Sequence, residues 1–174
     1  AASDVYKRQV MQDVSELKKA YAELENMVIY DQLTGVYSMY SFMEHCKQYD
    51  EYNGSVAVVV CDINHLSDIN IQYGQKAGNQ ALINVAGVLK KILMDRAYIA
   101  RINECNFVAV MKNVTDAEAG KTFEQIKRVV EKECNNGKFG VTIEYGIAMR
   151  KASNRWIMDI VHEAVNNMRD RKGR

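Results

Sequence analysis

The sequence predicts an α+β domain: an α/β sandwich with a mainly antiparallel central sheet, flanking helices and a split β-α-β (ferredoxin-like) order, preceded by a long N-terminal helix. Three observations predict it. Val56–Cys61 is an unbroken apolar run of strand length, and such a strand is buried on both faces at the centre of a sheet. Two apolar arms, 97–100 and 107–111, flank the polar stretch RINECNF (101–107) and read as a β-hairpin. Amphipathic helical stretches lie before, between and after these strands. The 174 residues suit one domain with a sizeable core plus an extra element.

The elements follow in order. Val10, Val14, Leu17, Tyr21, Leu24 and Val28 recur at spacings of 4, 3, 4, 3 and 4, an a/d seam of period 3.5. The positions between them are mostly polar, among them Gln12, Glu16, Lys18 and Glu23. A narrow stripe on a charged helix suits pairing with a second helix, the alternative being a single helix packed on its own domain. Asp31-Gln32-Leu33-Thr34-Gly35 ends that helix, and another is expected over 38–49. The strand 56–61 stops at Asp62, and one long helical stretch then runs to about Leu93, with Leu82, Val85, Ala86, Leu89 and Ile92 on one face. After the hairpin, Ala119, Phe123, Ile126 and Val130 mark a helix. Val141, Ile143, Tyr145 and Ile147 alternate with Thr142, Glu144 and Gly146, a strand with one more polar face. Ile157, Ile160, Val161, Ala164 and Met168 mark the last helix. The chain has no internal repeat, no low-complexity tract and no proline.

Hydrophobic residues at 48% and charged residues at 26% give a soluble globular balance. With 23 basic and 22 acidic side chains, no bulk electrostatic pull toward nucleic acid or an anionic membrane is expected. The basic cluster Arg169, Arg171, Lys172 and Arg174 reads as a solvated helix end. Cys46, Cys61, Cys105 and Cys134 form no CxxC pair, and three histidines give no zinc spacing. Reduced thiols in a cytoplasmic protein are expected, with the parent protein compatible with membrane attachment. No run reaches the ~18 apolar residues of a membrane helix, and none reads as a signal peptide. The opening AASDVYKRQ resembles translated adapter read-through at the end of a gene fragment, so an upstream region is expected to be missing. The expected division is a non-native segment 1–9, a coiled-coil signalling helix 10–30 and a domain 31–174.

The hairpin tip Asn103-Glu104-Cys105-Asn106 carries a Glu and a Cys where glycine is the easiest turn residue. Asp62, at the end of a central strand, is a position from which a carboxylate can hold Mg²⁺ beside a phosphate. A two-metal site needs a partner carboxylate, sought at the hairpin tip. Beyond Glu104 the tip offers Cys105, too soft for Mg²⁺, and the neutral Asn106.

These stretches together resemble a known family. DQLTGVYSMYSF (31–42), VVVCDINHLSDINIQYGQKAGNQAL (58–82), RINECNF (101–107) and EYGIAM (144–149) are similar, in order and spacing, to the GGDEF domain of the diguanylate cyclases, over about residues 28–174. The resemblance implies a nucleotidyl-cyclase palm in which each domain binds GTP and two domains meet face to face. The first strand-end Asp and the acidic hairpin tip hold Mg²⁺ or Mn²⁺, and cyclic di-GMP is the product. Carried over by position, Asp62 matches the first metal Asp and Ile63 the residue whose backbone carbonyl reaches metal. Asn70 matches the guanine-reading Asn, and Gly74 and Gly78 the loop glycines.

The other positions depart from the family's D-x-D-x-F-K-x-x-N-D-x-x-G-H-x-x-G-D-x-x-L. Asn64 replaces the second Asp, Leu66-Ser67 the Phe-Lys pair, Ile71 the Asp after Asn70, Gln75 the His, and Asn79 the second guanine-reading residue. The Gly-Gly-Asp/Glu-Glu tetrad reads Asn103-Glu104-Cys105-Asn106, with Phe107 kept. Laid over 162–170, the last-helix pattern A-D-x-A-L-Y-x-A-K puts Asp170 at a phosphate-binding Lys. The RxxD inhibitory site reads Met94-Asp95-Arg96-Ala97 and is absent. The resemblance therefore implies a catalytically impaired GGDEF domain used for signalling, dimerisation or interaction. No cofactor is expected, Mg²⁺ being relevant only with residual nucleotide binding. The expected partners are a second copy through the N-terminal helix, and another signalling protein or GGDEF/EAL-type domain, with GTP weak or absent. The alternatives are a GTP- or ATP-binding regulatory sensor and an active cyclase with altered metal ligation.

Overall fold

With six apolar residues in a row, Val56–Cys61 has no face to give to solvent, and the sheet forms around it. Strand β1 (Val56–Ile63) lies between β3 (Asn106–Lys112) and β4 (Ile143–Arg150), antiparallel to both. Strand β2 (Tyr98–Arg101) pairs antiparallel with β3, giving the order β2-β3-β1-β4. The computed structural model describes residues 2–135, 140–151 and 155–173, with side chains from residue 11 onward. Its helices are α1 (Ala2–Ile29), α2 (Met39–Asp50), α3 (Leu66–Tyr73), α4 (Gln75–Leu93), α5 (Asp116–Glu133) and α6 (Ile157–Lys172). The α+β class, the inner strand and the hairpin stand as the sequence predicts.

The period of two along β1 divides the core into two layers. Ala57, Val59, Cys61 and Ile63 pack with Leu82, Val85 and Leu89 of α4 and with Phe123, Ile126 and Val130 of α5. Val56, Val58 and Val60 pack with Phe42, Cys46 and Tyr49 of α2 and with Ile157, Ile160 and Ala164 of α6. Burying each such aliphatic side chain contributes about 1.5–3 kcal/mol. Cys61 is a core residue, its thiol pushed up to about 12 by burial.

Several expectations change. The stretch from Asp62 to Leu93 is two helices, not one, because Gly74 takes φ 85° and turns the chain between α3 and α4. Strand β4 is covered on both faces, by α5 and α6, rather than leaving a more polar face. Asn106 is the first residue of β3, so the tip proper is 102–105. Helix α5 opens on a capping box, Thr115 with Glu118, a sequence signal that went unread.

Helix α1 leaves its seam open: Val14, Leu17, Tyr21, Leu24 and Val28 are 45–69% exposed. Among its described side chains, which exclude that of Val10, only the last turn meets the domain, where Ser38 N–H donates to Ile29 O (2.8 Å). The chain leaving it runs along the edge of β2. Tyr37 N–H donates to Ile99 O (3.0 Å) and Arg101 N–H to Tyr37 O (2.9 Å), which covers an otherwise open sheet edge. The Tyr37 and Tyr98 rings stack at 4.3 Å. No helix among the described residues is long and apolar enough to cross a membrane.

Helix α6 lies directly on β4 at Gly146. A Cβ there would come within 2.1 Å of the Ala164 carbonyl and 2.3 Å of the Met168 nitrogen, both helix backbone that cannot step aside. Gly146→Ala is expected to cost about 2–3 kcal/mol of stability through this overpacking. Urea unfolding measures it, and an unchanged midpoint would contradict the packing described.

Candidate functional site

The site forms where β1 ends beside the hairpin tip. Across the sheet, Asp62 is in register with Asn106 of β3 and with Glu144 of β4. The alternation that buries Cys61 and Ile63 under α4 sends Asp62 to the opposite face, toward α6. Ile63 N–H donates to Cys105 O (3.3 Å), which fixes the tip against the strand end. Asn64 faces away from the tip, its amide nitrogen donating to Thr142 Oγ1 (3.0 Å).

The tip is held by its own polar groups. Asn103 Oδ1 accepts from the amides of Cys105 (3.0 Å) and Asn106 (2.8 Å), an Asx turn that does without the left-handed glycines. Arg101 supplies the rest. Its Nε donates to Asn103 O (3.1 Å), its Nη2 to Glu104 O (2.8 Å), and its Nη1 to Asp31 Oδ2 (3.2 Å). Asp31 also accepts from the Thr34 amide (2.9 Å) and hydroxyl (2.6 Å). Burial alone would raise the Asp31 carboxyl, but the Thr34 hydrogen bonds and the Arg101 charge outweigh it and hold the group below its ordinary value. Sequence reading took Asp31 as part of a helix-ending turn and Arg101 as the start of the polar stretch between the hairpin arms, and so missed the pair.

Next to the tip lies a cavity of about 480 Å³ whose lining includes Asp62, Ile63, Asn70, Asn79, Glu104 and Cys105. Six of the predicted site residues therefore share one cleft. The Asn70 side chain lies over Gly78, its Oδ1 2.0 Å from where a Cβ would stand, so the α3–α4 elbow closes around it. Glu104 is exposed at the rim. Asp170 is not part of the cleft: it lines a separate groove with Asp116, Asn167 and Arg171. The sheet-facing residues of α6 include Val161, Ala164 and Met168. Those match the small positions of the family pattern only if it starts at residue 161, which puts Arg169, not Asp170, at the basic place.

The group that α6 does send into the site was read from sequence as solvated. Lys172 Nζ, in its last turn, donates to Asp62 Oδ2. Asp62 Oδ1 is buried without a hydrogen-bond partner. Cys105 Sγ donates to Asn106 Oδ1 (3.4 Å). Burial and then the Asp62 carboxylate push the Cys105 thiol up to about 11, against the pull of Lys172, so it is a protonated, unreactive thiol at neutral pH. Among the described residues no group of three or more His, Cys, Asp or Glu is placed to hold a metal ion. A hard divalent cation asks for several oxygen ligands with anionic character. The strand end offers one carboxylate, already paired, beside a thiol and an amide, and this donor set does not fit Mg²⁺ or Mn²⁺.

Comparisons with known proteins agree on the fold. The model of the family described as diguanylate cyclase, GGDEF domain, matches residues 28–174. YtrP of Bacillus subtilis (strain 168) is 29% identical over 143 residues, covering 81% of this chain and 24% of that protein. Diguanylate cyclase DgcS of Shewanella oneidensis is 24% identical over 132 residues, 74% of this chain and 44% of that protein. The chain thus spans less than half of these relatives. Among solved structures, the coiled coil and GGDEF domain of DgcB from Caulobacter crescentus, in complex with c-di-GMP, superposes with a TM-score of 0.87 at 19% identity, covering 100% of this chain and 97% of that one. Diguanylate cyclase SiaD of Pseudomonas aeruginosa, in complex with its activator SiaC, gives 0.77 at 18% identity, over 98% of this chain and 72% of that one.

The Asp31–Arg101 pair sets a pH dependence. Because the folded carboxyl titrates below its unfolded value, its contribution is present above the ordinary carboxylate value near 3.8 and is lost as pH falls through the lowered one. Asp31→Asn is expected to cost about 1–3 kcal/mol at pH 7, the worth of charge-assisted hydrogen bonds in a part-buried site. Denaturant curves of both proteins should converge as the pH falls through the lowered value of the folded carboxyl, where the wild-type group is protonated too. A gap that stays constant with pH would contradict the pairing.

Proposed function

This chain belongs to the GGDEF family, and from that premise we propose that it is a catalytically impaired GGDEF domain that works as a signalling and dimerisation module in a cyclic di-GMP pathway. The observation that carries the reading is the hairpin tip. The acidic tip positions of the family pattern are Cys105 and Asn106, and the tip is closed on itself through Asn103 and Arg101. Phosphoryl transfer relies on metal ions and cationic side chains to hold the charge that develops on the phosphates. Here the metal donors are reduced to Asp62, and the family's Lys is Ser67. The Glu104 carboxylate stands at the mouth of the cleft, where it repels a triphosphate.

The part that remains serviceable is mechanical. The open seam of α1 offers Leu17 and Leu24 to a second helix. Its C-terminal end feeds through Tyr37 and Asp31 into β2 and the hairpin. Pairing two copies through α1 would set the relative placement of two domains. A second reading, a nucleotide-binding sensor, draws support from Asn70 and Asn79 sharing the cleft.

Two measurements test these readings. Sedimentation of the full chain is expected to show a dimer that Leu17→Glu with Leu24→Glu converts to monomer. Wild-type monomer at high concentration would remove the dimerisation part. Calorimetric titration with GTP and Mg²⁺ is expected to give no saturable heat below about millimolar concentration, the regime of roughly −4 kcal/mol. Micromolar binding abolished by Asn70→Ala would favour the sensor.

A further inference from the structure

We propose that Lys172 is the built-in counter-ion of Asp62, a tethered cation in the place where a divalent ion would otherwise sit. The inference deepens the reading of a lost active site and rests on it. Asp62 has a side chain 15% exposed, and Lys172 in the last turn of α6 is 33% exposed. One oxygen of the carboxylate takes the ammonium, and the other is buried, with only the weak-donor thiol of Cys105 beside the carboxylate. The carboxylate is therefore largely cut off from water, and an unpaired buried charge is strongly unfavourable. It needs one positive charge.

The charge count explains why a lysine serves. Asn106, in register with Asp62, is a neutral amide, and Cys105 brings a thiol where a second carboxylate would stand. Glu104 is exposed and solvated by water. The interior of the strand end thus carries a single negative charge. A divalent ion against Asp62 alone would leave one positive charge uncompensated and lack oxygen ligands. An ammonium balances the carboxylate one to one and needs no further anions. Its place at the C-terminal end of α6 is also where the helix dipole favours a cation. The ion pair joins residues 110 apart in sequence, and it fastens the end of α6 to the end of β1.

The test is thermal unfolding of the full chain with and without MnCl₂, together with free Mn²⁺ read by electron paramagnetic resonance. Wild-type protein is expected to bind no Mn²⁺ through Asp62 and to keep its Tm. Lys172→Met is expected to lower Tm by about 3–6 °C, as for removal of one partner of a part-buried pair. Asp62→Asn with Lys172→Met is expected to recover most of that loss, because a neutral amide needs no counter-ion, and Mn²⁺ is expected to leave the Tm of both variants unchanged. Wild-type Mn²⁺ binding that disappears in Asp62→Asn would overturn the inference, and needs no lysine variant to fold. So would a double variant no more stable than Lys172→Met, which would make the lysine a structural clasp indifferent to the carboxylate. The two readings fail separately. Mn²⁺ bound by a wild-type protein that forms no product sinks this inference and spares the lost active site, whereas product formation sinks the lost active site itself.

Discussion

Arg101 joins three parts of the chain through one guanidinium. It meets the Asp31 carboxylate where the segment after α1 enters the domain, and its other nitrogens hold the carbonyls of Asn103 and Glu104 at the hairpin tip. Its own amide extends the edge of β2 onto Tyr37. A planar donor set with five N–H groups can satisfy this many acceptors in one place, which a lysine cannot. The position of the tip, and with it the shape of the cleft beside Asp62, follows from this anchorage.

On the proposed reading of an impaired domain, the same anchorage explains how the hairpin keeps its shape without the family's acidic ligands. A tip that depended on bound metal and nucleotide for its conformation would collapse when the acidic ligands went. This tip takes its geometry from Arg101 and from the Asn103 side chain standing in for turn glycines. The packing positions, Val56 to Cys61 and Phe107 among them, are apolar and buried, while the polar side chains at the cleft include the Asp62 carboxylate, the amides of Asn70 and Asn79, the Cys105 thiol and the Glu104 carboxylate at the rim. Stability and reactivity rest on different residues here, so one can be lost while the other is kept.

How much was legible in the sequence follows from the range of each interaction. Strand β1, the hairpin arms and the α1 seam were readable because each is a local pattern of apolar residues with a fixed period. The break at Gly74 was missed because the apolar positions on either side of it continue in helical phase. The covering of β4 on its second face, and the phase of α6, are set by contact between Gly146 and the backbone of Ala164 and Met168, which no single-helix pattern contains. The cleft's membership was foreseen for Asp62, Ile63, Asn70, Asn79, Glu104 and Cys105 through the family resemblance, and missed for Asp170, while Asn103 and Asn106 belong to the tip without lining the cleft. The Asp31–Arg101 and Asp62–Lys172 pairs were invisible because their partners lie 70 and 110 residues apart. A basic residue at a helix end reads as solvated until the fold shows what stands opposite it.

The central claim is that the fold has been kept and the cyclase chemistry lost. Incubating the unmodified chain with GTP and Mg²⁺ or Mn²⁺, and reading the products by mass spectrometry, tests it most directly. The account predicts no cyclic di-GMP above a heat-inactivated control, since loss of even one charge-stabilising group typically costs about 10²–10³ in rate. Cyclic di-GMP that accumulates with time and enzyme concentration would contradict it.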